Sequence, residues 1–323
     1  MVLPEIFTSH IETVEQGLHE IVTPEMPALL RDPILYFLQM PGKKIRPLLC
    51  MAAAEAVRGE SKAALPAALA VELFHDFTLI HDDIMDQDEL RRGLKALHVR
   101  YDDGTAILVG DLMIGLAYQQ LMQIPQPALD SIARVFSEAL VRVCEGQALD
   151  KEFENRSDVT LDEYLEMIGK KTGWLIKVAC ELGALCGGGS EREVQELARF
   201  GYSLGLAFQI QDDLLDVIAD QEKLGKKVGS DFLMDKKTYV TLKYMEMMRE
   251  QPELMGRYPA APSGFDSFQK FQEALRELGI VDSVQETVDY YTEQTLDALS
   301  RVMPLTEENP LYALARYLQK RQS

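Results

Sequence analysis

The distribution of proline constrains the fold of this chain more than any other feature of its sequence. All fourteen prolines lie outside residues 128–251. Helix interiors exclude proline, because its nitrogen carries no donor and its ring clashes with the preceding turn. The same stretch carries apolar residues at the 3.6-residue period of a helix, with little of the alternation typical of strands. The sequence therefore predicts long, uninterrupted helices through the middle of the chain.

Local signals also indicate where helices begin and end. Residues 160–163 and 190–193 fit the capping box, in which the first turn satisfies its own donors. The glycines at 187–189 favour a helix stop, and residues 251–267 are the strongest candidate loop. Since no linker or repeat interrupts the pattern, we expect residues 1–323 to form a single all-α domain of many long helices.

Charge and composition limit the classes of partner. The net charge of −19 at pH 7 repels nucleic acid and anionic lipid. No apolar run approaches the roughly 18 residues of a membrane span, and the N-terminus lacks the pattern of a signal peptide. We therefore expect a cytoplasmic protein with no nucleic-acid partner and no stable membrane anchor. The cysteines lack metal or redox spacing, and we expect buried free thiols at Cys50, Cys144, Cys180 and Cys186.

One acidic pattern occurs twice in the chain. Residues 82–86 read Asp-Asp-Ile-Met-Asp and residues 212–216 read Asp-Asp-Leu-Leu-Asp, each at the end of a long apolar helical pattern. Positions i and i+4 lie on one helix face, and like charges aligned there repel each other unless a counterion is bound. The apolar neighbours argue against a solvated acidic surface.

Carboxylate oxygens are ligands for hard cations. Magnesium usually takes one or two carboxylates and completes its shell with water and substrate phosphates. The two motifs therefore predict magnesium ions that clamp a diphosphate, with the candidate ligands Asp82, Asp83, Asp86, Asp212, Asp213 and Asp216.

Basic residues cluster around both acidic motifs of this strongly acidic chain. Arginine suits bidentate phosphate contacts and lysine acts as a point charge. His75 lies seven residues before Asp82 and shares its helix face, which makes it a candidate phosphate contact, whereas His81 points elsewhere and is expected to be structural. The basic residues are Lys43, Lys44, Arg46, Arg91, Arg92, Lys170, Lys171, Lys226, Lys227, Lys236 and Lys237.

The order and spacing of these motifs, from Gly42 to Thr241, resemble the trans-isoprenyl diphosphate synthases, also called the polyprenyl synthetase family. The resemblance implies an all-α bundle around a deep central cavity, usually as a homodimer. It implies a short-chain trans-prenyltransferase that joins isopentenyl diphosphate to an allylic diphosphate, with three magnesium ions when substrate is bound.

The resemblance also implies roles for individual residues. Both aspartate motifs, with Arg91, would hold magnesium and the allylic diphosphate. Isopentenyl diphosphate would be held by Lys43, Arg46, His75 and Arg92. The allylic site would be completed by Lys171, Thr172, Gln209, Lys226 and Lys236. Lys171 and Lys226 would neutralise the leaving group, and Gln147 and Asp150 match an element that lines the cavity. The chain departs from many relatives at residues 41–44 and 95–98, where it reads Pro-Gly-Lys-Lys and Lys-Ala-Leu-His.

The family chemistry predicts loss of diphosphate from the allylic substrate, attack of the isopentenyl double bond on C1 of the cation, and loss of a proton to the departing diphosphate. Phe77 lies five residues before Asp82, about 7.5 Å deeper along the helix. An aromatic side chain there is typical of short-chain members and would block elongation, while Thr78 on the face below Asp82 is small. We expect a C20 product, geranylgeranyl diphosphate, with C15 farnesyl diphosphate next.

Three other functions remain open from the sequence. A metal-dependent phosphohydrolase would use His75 and the pair His81 and Asp82, but leaves the second motif unexplained. A terpene cyclase shares one aspartate motif, but not the second or the arginine pair. A catalytically silent regulatory subunit of a heteromeric synthase would not need to retain both motifs and the basic residues.

Overall fold

The computed structural model of the protein describes residues 4–218 and 236–319. α-Helices account for most of these residues. The strands in this part of the chain are β1 (Leu90–Arg91) and β2 (Leu94–Lys95), which form one small antiparallel hairpin. The prediction of an all-α fold is therefore confirmed.

The helices are numbered here in chain order, and a π-helical turn, Gly169–Gly173, joins α8 to α9. Their bounds are α1 (Thr8–Ile21), α2 (Ala28–Leu38), α3 (Ile45–Ala56), α4 (Leu65–Asp86), α5 (Leu97–Arg100), α6 (Asp103–Leu121), α7 (Ala128–Glu154), α8 (Leu161–Ile168), α9 (Trp174–Cys186), α10 (Glu191–Ile218), α11 (Tyr239–Glu250), α12 (Phe268–Glu277), α13 (Ile280–Ser300) and α14 (Pro310–Gln319).

The predicted helix boundaries are confirmed by their caps. Thr160 and Glu163 exchange hydrogen bonds as a capping box at the start of α8, and Ser190 and Glu193 do the same before α10. After α9, Gly188 adopts a positive φ of 74°, as a helix-terminating glycine does. Residues 251–267 contain only short 3₁₀ turns.

The contacts within the chain group into two compact units. The first comprises the described parts of Met1–Glu138, Leu175–Ala198 and Leu299–Tyr317. Its central element is α4, which packs against α6 and α3. Both α3 and α4 are buried along most of their length, as expected for predominantly apolar helices. The acidic motif at residues 82–86 therefore lies at the end of a core helix.

Among the described residues, one helical segment, Ser61–Asp86, is long and apolar enough to cross a membrane. Its 18-residue window has a mean hydropathy of 1.4. No such run was expected from the sequence. However, 67% of that window is buried inside the protein, and the segment ends in three aspartates. Its length and hydropathy are therefore accounted for by its place in the core of the first unit.

The second unit comprises the described parts of Ala139–Trp174, Arg199–Ala298 and Leu318–Ser323. Its core is rich in aromatic side chains, and α8 packs against α11. Tyr164, Ile210 and Phe271 are among the buried members of this core. The second acidic motif lies near the end of α10, on the same helix as Ile210. That residues 1–323 form a single domain stays a prediction.

The cysteines follow the expectation only in part. All four are free thiols; Cys50 and Cys180 are buried, and Cys186 is partly buried. Cys144, however, is exposed, so the expectation of burial is wrong at this position. It lies on α7 on the same helix face as Val141 and Ala148, which are also exposed.

Candidate active site

The structure distinguishes the three aspartates of the first motif, which the sequence treats alike. Asp83 is 1% exposed, whereas Asp82 is partly buried and Asp86 is exposed. Helical geometry explains the division, because positions 82 and 86 share a face that position 83 does not. The two outer aspartates can therefore reach a ligand at the surface of α4, and the middle one points into the protein.

Asp83 is held in place by Arg91. One oxygen, Oδ1, accepts hydrogen bonds from Nε of Arg91 at 2.8 Å and from Nη2 of the same side chain. Burial raises the pKa of the Asp83 carboxyl, although Arg91 opposes this. Arg91 also lies 3.6 Å from Asp88. In this structure Arg91 orients the motif, and its predicted contact with the allylic diphosphate stays a prediction.

Arg92 occupies the tip of the hairpin formed by β1 and β2. Leu90 pairs with Lys95 and Arg91 with Leu94, which leaves Arg92 and Gly93 as a two-residue loop. Both have positive φ angles, 54° and 82°, as a type I′ turn requires. Glycine adopts this conformation freely, whereas for arginine it is strained. The turn directs the guanidinium toward Gly42, where an added Cβ would lie 2.7 Å from Nη1 of Arg92.

Arg46, His75 and Arg92, three of the residues predicted to hold isopentenyl diphosphate, interact in the first unit. Arg46 on α3 and His75 on α4 are joined by a 3.0 Å hydrogen bond between Nη1 and Nε2. Burial and the charges of Arg46 and Arg92 lower the pKa of His75 well below its usual value, so this imidazole is neutral at pH 7. Burial also lowers the pKa of Arg46 to about 10. Lys43 is exposed, with its ammonium 5.3 Å from the ring centre of Tyr317.

An ion pair beneath this cluster was not predicted from the sequence. Lys44 precedes α3 in a left-handed conformation (φ 49°), and its Nζ lies 3.0 Å from Oε1 of Glu72, with both side chains almost fully buried. Although burial opposes the charged form, Glu72 and Asp76 raise the pKa of Lys44. Lys44 belongs to one of the two departures from the family pattern. Glu72 and Asp76, four residues apart in an apolar helix, are the signal that could have revealed it.

The predicted chain-length residues lie one turn before the first motif. Phe77 is 6% exposed and stacks on Phe74 with ring centres 5.3 Å apart. Its other neighbour is the ring of His81, at 5.7 Å. Thr78 donates a 2.7 Å hydrogen bond to the carbonyl oxygen of His75. His81 packs closely over Gly110 of α6, as its expected structural role requires.

In the second unit the middle aspartate is again the buried one. Asp213 is 4% exposed, while Asp212 and Asp216 are partly buried. Its Oδ2 accepts hydrogen bonds from the hydroxyl of Tyr164 at 2.6 Å and from the backbone N–H of Tyr239 at 2.9 Å. Neither tyrosine could be identified from the sequence, because both reach Asp213 from other helices.

A chain of hydrogen bonds joins Asp213 to two other predicted residues. Thr172 donates to Oε1 of Gln209 at 3.1 Å, and Nε2 of Gln209 donates to Oδ1 of Asp213 at 3.1 Å. The π-helical turn presents Thr172 and Lys171 together. Lys171 forms a 2.6 Å ion pair with Asp150 of α7. The structure therefore brings together four residues that the sequence assigned to the allylic site and its wall.

These side chains line a cavity of about 210 Å³ in the second unit, which Lys236 and Lys237 also line. Lysines at the wall of a small polar cavity are suited to an anion. Gln147 is buried, and neither polar atom of its amide has a hydrogen-bond partner within the described residues. Lys226, the other lysine predicted to neutralise the leaving group, lies outside the described residues, as does Lys227.

The donor set of the two motifs suits magnesium. It consists of carboxylate oxygens, and the outer aspartates of each motif, Asp82 and Asp86 and Asp212 and Asp216, are partly buried or exposed and so accessible to an ion. In residues 4–218 and 236–319, no three carboxylate, imidazole or thiol groups converge into a ready-made metal site. An ion that draws the rest of its shell from water and substrate phosphates does not need one.

Comparison with known proteins agrees with this arrangement. Residues 27–278 match the family model of polyprenyl synthetase. The geranylgeranyl diphosphate synthase of Methanosarcina mazei is 35% identical over 324 residues, covering 100% of this chain and 99% of that protein. A short chain isoprenyl diphosphate synthase of Methanothermobacter thermautotrophicus is 42% identical over 252 residues, covering 78% of each.

Solved structures agree as well. The crystal structure of geranylgeranyl pyrophosphate synthetase from Pyrococcus horikoshii Ot3 superposes with a TM-score of 0.89 at 32% identity, covering 98% of each chain. The match spans the helices that carry both aspartate motifs. From its sequence and its fold together, the chain belongs to the polyprenyl synthetase family.

Proposed function

We propose that the protein is a magnesium-dependent short-chain prenyltransferase that condenses isopentenyl diphosphate with allylic diphosphates to geranylgeranyl diphosphate. Farnesyl diphosphate is the shorter alternative product. One observation carries the proposal: each compact unit contains an Asp-Asp-x-x-Asp motif whose middle carboxylate is buried and held by hydrogen bonds, at Asp83 and at Asp213. The outer carboxylates remain on the accessible face of the helix.

Magnesium would be held by the two motifs, through Asp82 and Asp86 in one unit and Asp212 and Asp216 in the other, with three ions when substrate is bound. When bound, Mg²⁺ supplies Lewis-acid withdrawal of charge from the allylic diphosphate. Asp83 and Asp213, which the sequence also named as candidate ligands, are the buried members of the motifs and would orient them from behind. Such supporting contacts are what keep metal-binding carboxylates in a productive geometry.

The leaving diphosphate would be received by the cationic side of the cavity in the second unit. Lys171 is held 2.6 Å from Asp150, which keeps its ammonium at the cavity wall, and Thr172 and Gln209 add hydrogen-bonding groups beside it. Lys236 contributes a further charge. Preorganised donors of this kind stabilise charge as it develops on the leaving group. The assignment of Lys226 to the same role rests on the family resemblance.

Isopentenyl diphosphate would bind to the cluster of Lys43, Arg46, His75 and Arg92. Arg46 and Arg92 can form bidentate contacts with phosphate oxygens. A neutral His75 donates one hydrogen bond without adding charge. The contact between Arg46 and His75, at 3.0 Å, fixes both side chains before the ligand arrives.

In the reaction, the bond between C1 and oxygen of the allylic substrate breaks, and its electron pair leaves with the diphosphate. The isopentenyl double bond then forms a carbon–carbon bond to C1. The proton lost from the isopentenyl unit goes to the departing diphosphate, so no protein base is required. Buried apolar side chains on α4, Phe74 and Phe77 among them, exclude water that would otherwise capture the cation.

Phe77 is the proposed floor of the product cavity. Its ring stacks on Phe74 and makes an edge contact with His81, so a change in its position would disturb both contacts. Thr78 would line the wall beside it. Phe77→Leu, which reduces the side chain but keeps it apolar, is expected to shift the product toward longer chains in a chromatographic analysis of the dephosphorylated alcohols. An unchanged distribution would place the floor elsewhere.

A homodimer and a cytoplasmic location complete the proposal, and the resemblance to the family supports both. The functional test is incubation of the purified protein with isopentenyl diphosphate, each allylic primer and magnesium, with and without a chelator. We expect chelator-sensitive C20 or C15 alcohols after dephosphorylation. No condensation with any primer by folded protein would favour the regulatory-subunit alternative.

The same assay tests the two motifs separately. Asp82→Ala and Asp212→Ala should each lower turnover roughly 100-fold or more, the scale on which loss of transition-state stabilisation is measured. The circular dichroism spectrum should be unchanged, because both side chains are only partly buried and their removal leaves the helix cores intact. Near-normal turnover by either variant would contradict the assignment of that motif.

A further inference from the structure

Asp76 is a buried acid for which the proposed function gives no role. It lies on α4, is 1% exposed, and neither of its carboxylate oxygens has a hydrogen-bond partner within the described residues. Buried polar groups nearly always have partners. An ionised carboxylate without one is strongly disfavoured in a protein interior, so a buried aspartate in this state needs an explanation.

The surroundings of Asp76 are dominated by the isopentenyl diphosphate cluster. From its own helix it faces Glu72, which is already paired with Lys44 at 3.0 Å. Lys44 and Arg46 act on it from the start of α3, and Arg92 acts on it from the hairpin tip. Glu15 and His19 of α1 line a cavity of about 370 Å³ that Lys44 also lines. Asp76 therefore belongs to this cluster by geometry: its neighbour His75 contacts Arg46 at 3.0 Å, and Glu72, one helical turn before it, contacts Lys44 at 3.0 Å.

These charges act in opposite directions on the carboxyl. Burial, and then the charge of Glu72, raise the pKa of Asp76 to about 7, while Lys44, Arg92 and Arg46 oppose the rise. Two of the opposing cations, Arg46 and Arg92, are the residues proposed to bind the diphosphate. A diphosphate bound to them would cancel much of the positive field that favours the ionised form of Asp76.

We propose that Asp76 takes up a proton when isopentenyl diphosphate binds, and so acts as a positioning residue that keeps the cluster cationic toward the substrate. The inference rests on the proposed function, since it assumes that Arg46 and Arg92 hold this diphosphate. The proton comes from solvent and returns to it when the site empties, and no covalent bond is made. Protonation removes one buried negative charge that would otherwise repel the ligand and compete for Lys44 and Arg46.

The coupling has a measurable consequence for binding. Where one proton is taken up with the ligand, affinity falls by up to about tenfold for each pH unit above the titration of the free acid. We expect the wild-type KM for isopentenyl diphosphate to rise in this way above about pH 7, with kcat at saturation unaffected. Asp76→Asn should flatten this dependence, because asparagine does not titrate. A purely structural role of Asp76 would leave the pH profile unchanged in shape.

The decisive experiment is calorimetric titration of the full chain with isopentenyl diphosphate at pH 7.5, in two buffers of different ionisation enthalpy. The difference between the binding enthalpies measured in the two buffers gives the number of protons taken up on binding. The wild type and Asp103→Asn, an exposed control on α6, should take up more protons than Asp76→Asn. Equal uptake by Asp76→Asn and the wild type would overturn the inference and leave the proposed function standing. Absence of binding to the wild type would instead overturn the site assignment and the inference with it.

A second measurement does not depend on the variant folding. The infrared difference spectrum of the wild type, recorded on addition of isopentenyl diphosphate, should gain the carbonyl band of a protonated carboxylic acid. A spectrum without this band would also overturn the inference.

Discussion

At the scale of single residues, the site depends on side chains that do not themselves touch a ligand. Asp83 and Asp213 occupy equivalent places in the two motifs, yet different groups hold them. Arg91 supplies a charged partner to Asp83, whereas Asp213 accepts from the hydroxyl of Tyr164 and from a backbone N–H. The same local sequence is therefore stabilised by two different long-range contacts.

Tyr164 gives the first prediction. Tyr164→Phe removes a buried 2.6 Å hydrogen bond to Asp213, and we expect the free energy of unfolding to fall by about 1–2 kcal/mol. Loss of the orienting contact should lower turnover or magnesium affinity by about tenfold or more. Denaturant unfolding and the magnesium dependence of kcat would measure both effects.

Tyr258→Phe is the matched control, since its hydroxyl bonds to the exposed Glu277 and should have little effect on either quantity. If Tyr164→Phe and Tyr258→Phe behave alike, Asp213 does not depend on Tyr164.

Asp76 gives a prediction about stability, independent of ligand. Its pKa is about 7 in the folded protein and about 3.9 in an unfolded chain. The folded state therefore binds the proton more tightly, and the associated stability is lost as pH rises from about 4 through 7. Asparagine does not titrate, so Asp76→Asn should gain on the order of 2–3 kcal/mol over the wild type between pH 5 and pH 8.

Urea unfolding at the two pH values measures this difference, with Asp103→Asn as the control. Parallel stability profiles for Asp76→Asn and the wild type would mean that Asp76 titrates normally.

At the scale of elements, the two-residue hairpin loop places Arg92. The register of β1 and β2 leaves only Arg92 and Gly93 to make the turn, and both must take positive φ angles. Glycine at the second position carries this requirement without strain. The basic pair of the sequence is thereby divided, with Arg91 directed to Asp83 and Arg92 to Gly42.

Gly93→Ala tests whether this turn matters for binding. An added Cβ would meet nothing within 4 Å, so the effect comes from φ alone. A left-handed alanine costs about 1–2 kcal/mol, and relaxation of the turn would move Arg92. We expect KM for isopentenyl diphosphate to rise by roughly fivefold or more, with kcat little changed.

Gly188→Ala is the matched control, because Gly188 has a similar φ of 74° and the same open space. It should lose stability without a change in KM. A normal KM for Gly93→Ala would show that the turn does not position Arg92 for the substrate.

At the scale of the whole molecule, metal is expected to serve catalysis and not folding. Both motifs lie at the ends of helices that are held in place by buried apolar side chains. The described residues contain no ready-made cluster of three metal-ligating groups. A chelator should therefore abolish condensation and leave the midpoint of thermal unfolding unchanged. Activity assays and calorimetry with and without chelator measure the two outcomes. A large drop in the midpoint would show that a metal stabilises the fold, as in structural metal sites.

The sequence by itself determined the fold class and the identity of the motifs. Residues 128–251 lack proline and carry apolar residues at the helical period. Both features act within a few residues along the chain, so they specify helices without reference to the fold. The capping boxes at residues 160–163 and 190–193 and the repeated Asp-Asp-x-x-Asp are likewise local patterns. Such patterns can be read without the fold, because their meaning depends on neighbours within one or two helical turns.

Only the tertiary structure decided which member of each motif is buried and what it contacts. The partners of Asp83, Asp213 and Lys44 lie 8, 49 and 28 positions away in the chain, at Arg91, Tyr164 and Glu72. The exposure of Cys144 was likewise set by packing around α7. Periodicity gives the face of a helix on which a side chain lies, but not the element that covers that face. For this reason the ligand types could be predicted, whereas the contacts that orient them, and the burial of Asp76, could not.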